Sequence, residues 1–169
     1  ERLAASFTEL CEIDSPSRRE GRISRRLQEL FQELGAAEII EDDSAAETGA
    51  ECGNLVVRFD GGLELAPIFL SCHMDTVEPA EGVRVRRDGD LFTSAGDTIL
   101  GSDDKSGIAA CIEALRLLQA APVLTAKPSK SKLIKSTSPS TPSISRLEVF
   151  GKRGLSTAVN ETFEIDLSI

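Results

Sequence analysis

Pro67-Ile68-Phe69-Leu70-Ser71-Cys72-His73-Met74-Asp75-Thr76-Val77 decides how the rest of this chain is read. Residues 67 to 72 form a continuous apolar run of strand length. A run of this kind, unlike an alternating one, suits a central strand covered on both faces. The chain's only histidine, His73, follows directly, and Asp75 stands two residues further on. At the C-terminal end of a strand both can point into the crevice where α/β sheets bind ligands. A neutral imidazole nitrogen is a metal donor, and a nearby carboxylate can fix the ring's orientation. Alone, H-x-D is short, and its commoner meaning is a surface or core histidine with an unrelated neighbour.

Outward from this run the pattern is that of an α/β domain. Upstream, Leu3, Phe7, Leu10 and Cys11 fall on one side of a helix over Arg2 to Ile13. Ser15-Pro16-Ser17 breaks the chain, and either serine could cap the next helix. Ile23, Leu27, Leu30, Phe31 and Leu34 mark a second helix over Arg18 to Leu34, stopped by Gly35. Ala37 to Glu41 reads as a short strand, Asp42 to Gly53 as a loop, and Asn54 to Phe59 as a strand closed by Asp60-Gly61-Gly62. Downstream, Val83 to Arg87 and Leu91 to Thr93 flank the hairpin turn Asp88-Gly89. Lys105 to Leu118 carries Ile108, Cys111, Ile112, Leu115 and Leu118 on one helical face. The expectation is a mixed sheet flanked by helices.

The stretch Gly96-Asp97-Thr98-Ile99-Leu100-Gly101-Ser102-Asp103-Asp104-Lys105-Ser106-Gly107 sets two adjacent carboxylates in a glycine-bounded loop before that helix. They could meet a cation, or Asp103 or Asp104 could simply cap the helix. The two motifs together say more. H-x-D at a strand end, then G-S-D-D-K-S-G opening a helix, resembles the co-catalytic zinc peptidases that include aminoacylase, glutamate carboxypeptidase and peptidase T. Leu100 to Ile108, His73-Met74-Asp75-Thr76-Val77 and Gly53-Asn54-Leu55 look most like the peptidase T branch. The resemblance covers residues 1 to about 121.

That resemblance implies the front part of a zinc-dependent exopeptidase catalytic domain acting on short peptides. His73 resembles a ligand to one of two zinc ions, and Asp103 resembles the carboxylate that bridges both. Asp75 resembles the carboxylate that orients His73 and tunes the metal's acidity, a catalytic role. Asp104 and Lys105 look like residues that shape the loop. The family follows its DDK helix with a Glu-Glu pair, supplying general base and ligand, and later with further Asp and His ligands beyond an inserted dimerisation domain. This sequence holds no Glu-Glu pair and no second histidine, and no family-like sequence is recognised after Gln119. Two ligands cannot close a tetrahedral site without water. Weak metal affinity and little peptidase activity are therefore expected, and substrate-binding residues are not identified. Zinc is implied over manganese or cobalt by the resemblance alone.

Composition sets further bounds. Residues 1–121 hold 24 acidic against 12 basic residues, and Lys105 is their sole lysine; residues 122–169 hold 4 against 7, with five lysines. The net charge of −9 argues against nucleic acid as partner. No apolar run has the length of a membrane span, and no segment reads as a signal peptide, so a cytoplasmic location is expected. Cys11, Cys52, Cys72 and Cys111 are widely spaced and read as free thiols. Residues 127–145 are rich in Lys, Ser, Thr and Pro and read as disordered or loose coil; Leu147 to Phe150 and Thr162 to Leu167 read as short strands. The tail could be a divergent end, an unrelated extension or the product of a reading-frame shift near Pro122, which the abrupt change in composition favours. Gly151-Lys152-Arg153-Gly154 can indeed be encoded so that a shifted frame reads Glu-Glu-Gly. A catalytically inactive remnant, at most a weak metal- or peptide-binding module, is the alternative to an active hydrolase.

Overall fold

The computed structural model describes residues 1–61 and 67–120, and the backbone of a strand at Arg146–Lys152. Helix α1 (Arg2–Cys11) and helix α2 (Gly21–Glu33) lead, followed by strand β1 (Glu38–Glu41) and a short helix α3 (Ser44–Thr48). Strands β2 (Leu55–Arg58) and β3 (Pro67–His73), the hairpin β4 (Val85–Asp88) and β5 (Leu91–Ser94), helix α4 (Ser102–Ala120) and strand β6 (Arg146–Lys152) complete the order.

The four-stranded sheet runs β1-β2-β6-β3. Strand β1 is antiparallel to β2, β2 parallel to β6, and β6 antiparallel to β3. The pairing Val57↔Val149 and Leu70↔Val149 puts β6 between the two strands that carry the family-like motifs. Strand β3 is consequently an edge strand among the described residues, and Ile68, Phe69 and Leu70 are only half-buried. The expectation of a centrally buried strand is corrected here: an apolar run records that both faces can be covered, not which strands lie alongside. The strand expected at Leu147 to Phe150 is present, whereas residues 127–145 and 162–167 lie outside the described residues.

Helix α2 starts at Gly21, three residues later than its apolar spacing predicts, with Glu20 at its N-cap. Neither Ser15 nor Ser17 caps it. Its other end follows the sequence closely. Gly35 takes φ +74° and donates to Gln32 O at 3.0 Å, while Ala36 donates to Phe31 O at 2.9 Å. This paired 5→2 and 6→1 pattern satisfies carbonyls that the helix end would leave open, and the left-handed residue between them favours glycine. The segment Asp42 to Gly53, expected to be loop throughout, contains α3. Asp42 Oδ1 accepts from Ser44 N, Ser44 Oγ and Asn54 N, and Oδ2 accepts from Asn54 Nδ2. One carboxylate thus ties the start of α3 to the start of β2.

The core is continuous. Leu10, Ile23, Leu27, Phe31, Leu55, Val57, Ile108 and Ile112 are fully buried in one cluster. Each such side chain stabilises the fold by about 1.5–3 kcal/mol relative to exposure. Phe31 and Phe59 meet edge to face with centroids 6.1 Å apart. Helix α4 packs against α1 and β3, and α2 against β1. This packing holds the C-terminal end of β3 beside the N-terminal end of α4. All four cysteines are free and buried, and Cys72 Sγ of β3 lies 3.7 Å from Cys111 Sγ of α4. No helix among the described residues is long and apolar enough to cross a membrane.

Candidate metal centre

Beyond Cys72, burial alternates along the chain. Met74 and Thr76 are buried, while His73 and Asp75 are half-buried and share the other side. Thr76 is fastened by its amide to Ser15 O at 2.9 Å and forms an isolated parallel bridge with Pro16. His73 Nδ1 lies 2.9 Å from Asp75 O and 3.1 Å from Asp75 Oδ1. Both neighbours are acceptors, so this nitrogen carries a proton. The opposite nitrogen, Nε2, stands 3.0 Å from Asp103 Oδ1. Burial works against a charged imidazole, but Asp103 and Asp75 outweigh it and hold the His73 pKa above its ordinary 6.5.

The two carboxylates of the DDK loop have separate tasks. Asp103 and Asp104 have non-helical backbone angles, so the regular helix begins after them. Asp104 Oδ1 accepts from Gly107 N at 3.2 Å, which is an N-cap contact. A Cβ on Gly107 would sit 2.2 Å from that same oxygen, so the cap needs glycine there. The capping expectation holds for Asp104, and its neighbour is left to face His73. The peptide between them is cis. Lys105 is buried at 2% exposure and donates from Nζ to Ile13 O at 2.5 Å. Burial pushes its pKa down to about 8. The lysine inside the motif thus anchors the segment between α1 and α2 to the start of α4.

His73, Asp75 and Asp103, picked from sequence, are therefore brought together. The Asp103 side chain is 93% exposed, against 33% for His73 and 14% for Asp75, so the open side of the group belongs to Nε2 and the Asp103 carboxylate. The 3.0 Å between Nε2 and Oδ1 is a hydrogen-bond length, and two ligands of one tetrahedral zinc ion lie about 3.3 Å apart, so a small opening of the pair would let both reach one ion. The pair fits one side of a metal site. No group of three or more His, Cys, Asp or Glu side chains suited to hold an ion gathers among the described residues, so the pair does not close one. A cleft of about 580 Å³ lined by Asp14, Arg19, Arg22, Glu41 and Glu51 includes none of the three, and Arg22 already pairs with Asp14.

Ser17 is the residue that sequence reading placed wrongly. Its hydroxyl donates to Asp75 Oδ2 at 2.5 Å, across 58 positions of sequence. A Ser-Pro-Ser before a helix has a local meaning, and no local pattern connects residue 17 with residue 75.

No family model matches the chain. It is 39% identical over 118 residues to the Bacillus subtilis (strain 168) protein YqjE, described as uncharacterized; the match covers 70% of this chain and 32% of that protein. The fold is similar to aminopeptidase PepT from Bacillus cereus ATCC 10987, with a TM-score of 0.68 and 30% identity. It is similar to a tripeptidase from Staphylococcus aureus subsp. aureus Mu50 as well, with a TM-score of 0.70 and 31% identity. Both alignments cover 88% of this chain and 35% of the peptidase, so the chain spans about a third of the length of the proteins it matches. The N-terminal segment of this chain is peptidase T-like, and its mixed α/β fold is that of the front part of a PepT-like peptidase domain.

Proposed function

We propose that this chain carries the first portion of a metal-dependent site for hydrolysing peptide bonds, in the manner of a peptidase T-like aminopeptidase acting on short peptides. The observation that carries the reading is the His73 Nε2 to Asp103 Oδ1 approach of 3.0 Å, with Nδ1 turned away onto Asp75. His73 and Asp103 would be zinc ligands, Asp103 bridging two ions, and Asp75 would hold the imidazole in the tautomer that offers Nε2. When bound, such ions lower the pKa of a water and polarise a scissile carbonyl. Within this chain Asp75 keeps a proton on Nδ1 and Asp104 caps α4, leaving the exposed carboxylate of Asp103 to the open side. The base that would take the water's proton is not among these side chains. A cytoplasmic setting belongs to this reading and is supported by the four free thiols.

A second reading is favoured by the two-ligand count among the described residues. In it the chain is a catalytically inactive remnant that binds metal or peptide weakly, its residues 122–169 the product of a frame shift or unrelated extension. Calorimetric zinc titration of the full chain and of His73→Ala, with tripeptide hydrolysis followed in parallel, separates the two. Sub-micromolar zinc binding lost in the variant, with turnover of tripeptides, supports the hydrolase. Weak binding sensitive to His73→Ala without turnover supports the remnant. Binding indifferent to His73→Ala overturns the site assignment in both.

A further inference from the structure

We propose that Ser17 is a positioning residue for His73: its hydroxyl locks the Asp75 carboxylate in the orientation that keeps the proton on Nδ1 and leaves Nε2, beside Asp103, as the unprotonated nitrogen of the neutral ring. The function given to Nε2 rests on the metal-site reading above, but the positioning itself does not. Asp75 divides its two oxygens, Oδ1 lying 3.1 Å from His73 Nδ1 and Oδ2 accepting from Ser17 Oγ at 2.5 Å. A rotation of the carboxylate that served one partner better would lose the other. With both made, it has one orientation.

Ser17 can do this because its backbone is held from several directions. Lys105 Nζ grips Ile13 O at 2.5 Å, and Thr76 binds Ser15 O through its amide at 2.9 Å and its hydroxyl at 3.3 Å. Pro16 bridges to Thr76, and on the far side Arg18 takes φ +71° while its amide donates to Glu20 Oε1 at 2.7 Å. The strand end that carries His73 and the turn that carries Ser17 are thus fastened to each other beside the Ser17–Asp75 contact, at Ser15, Pro16 and Thr76.

The need for such a lock follows from the competition around the ring. Asp103 Oδ1, 3.0 Å from Nε2, is also an acceptor and would draw the proton of a neutral imidazole to the wrong nitrogen. Asp103 is 93% exposed and its pull is screened by water, whereas Asp75 is 14% exposed and is not. Asp75 prevails as long as Oδ1 stays aimed at Nδ1, and Ser17 is the side chain that aims it.

His73 is the chain's only histidine, so one imidazole signal reports directly. The experiment is long-range proton–nitrogen correlation NMR on the full ¹⁵N-labelled chain, with chelator present and at a pH where the ring is neutral. In the parent chain the Nδ1–H tautomer is expected to dominate. Ser17→Ala is expected to lower the ratio of Nδ1–H to Nε2–H roughly fivefold, the effect of one net hydrogen bond, and Ser17→Thr to restore it. A natively dispersed amide spectrum for Ser17→Ala with the parent tautomer ratio overturns the proposal. So does an unchanged ratio in Asp75→Asn, since the Asp75 carbonyl would then hold the proton without the carboxylate. No metal enters these measurements. A parent chain that shows the tautomer effect but binds no zinc leaves Ser17 as positioned and defeats only the metal reading.

Discussion

Asp103 and Asp104 are identical in chemistry and adjacent in sequence, yet their surroundings assign them opposite work. Asp104 turns inward onto the amide of Gly107, and Asp103 projects outward with almost its whole side chain in water. The division depends on Gly107, because a methyl group there would collide with Asp104 Oδ1 at 2.2 Å. Replacing glycine by alanine inside a helix normally stabilises by about 0.5–1 kcal/mol. Here the lost cap, worth about 0.5–2 kcal/mol, and the collision act against that gain. Gly107→Ala is expected to destabilise the chain by about 1 kcal/mol. In an Asp104→Ala background, where the cap is already gone, the same change is expected to stabilise. Urea melts of the four chains check that reversal of sign, and two effects of the same sign would contradict the cap.

Among the elements, the Asp42 side chain makes most of the side-chain contacts at the join between β1, α3 and β2. Asp42 accepts four hydrogen bonds from Ser44 and Asn54. Partial burial tends to raise its pKa, but those bonds outweigh burial and hold the carboxyl below its ordinary 3.8. A carboxyl whose folded pKa is depressed stabilises the fold fully above its unfolded value. That contribution is lost as the pH falls through the folded value. The chain should therefore lose part of its stability below about pH 4. Asp42→Asn places an amide opposite the Asn54 amide, and is expected to cost about 1 kcal/mol at pH 7, modest because the group is solvent-exposed. The variant should also show a shallower acid limb. Thermal melts of both chains between pH 3 and 7 check this, and parallel curves would show that the staple contributes nothing to the acid sensitivity.

For the molecule as a whole, the decisive feature is that β6 lies between β2 and β3. Without it the sheet divides: β1 and β2 stay paired with each other, and β3 loses its strand partner but keeps its packing against α4. Two strands alone are marginal in water. A chain ending at residue 145 is therefore expected to lose cooperative unfolding and to expose the half-buried Ile68, Phe69 and Leu70 as an aggregation-prone edge. Urea unfolding and light scattering of the shortened and full chains check this. An unchanged midpoint would mean that residues 146–152 add nothing to the fold. The other edge of β3 is open among the described residues.

Periodicity in the sequence determined where the long helices run and which of their faces are buried. Ile23, Leu27, Phe31 and Ile108, Ile112, Leu115 recur every three or four residues, and burial follows that spacing wherever a helix meets a core. The stop at Gly35 was equally legible, because a left-handed residue past a helix end is a local requirement of the backbone. That His73, Asp75 and Asp103 come together was legible as well, but only from the two motifs in combination, since neither triplet nor loop alone says that the other lies beside it. What the tertiary structure decided were partnerships across long separations. These include β6 entering the sheet, Lys105 reaching Ile13, and Ser17 leaving its expected cap for Asp75. Each depends on chain segments that packing brings together, and local spacing holds no record of a partner that lies 58 or 92 residues away.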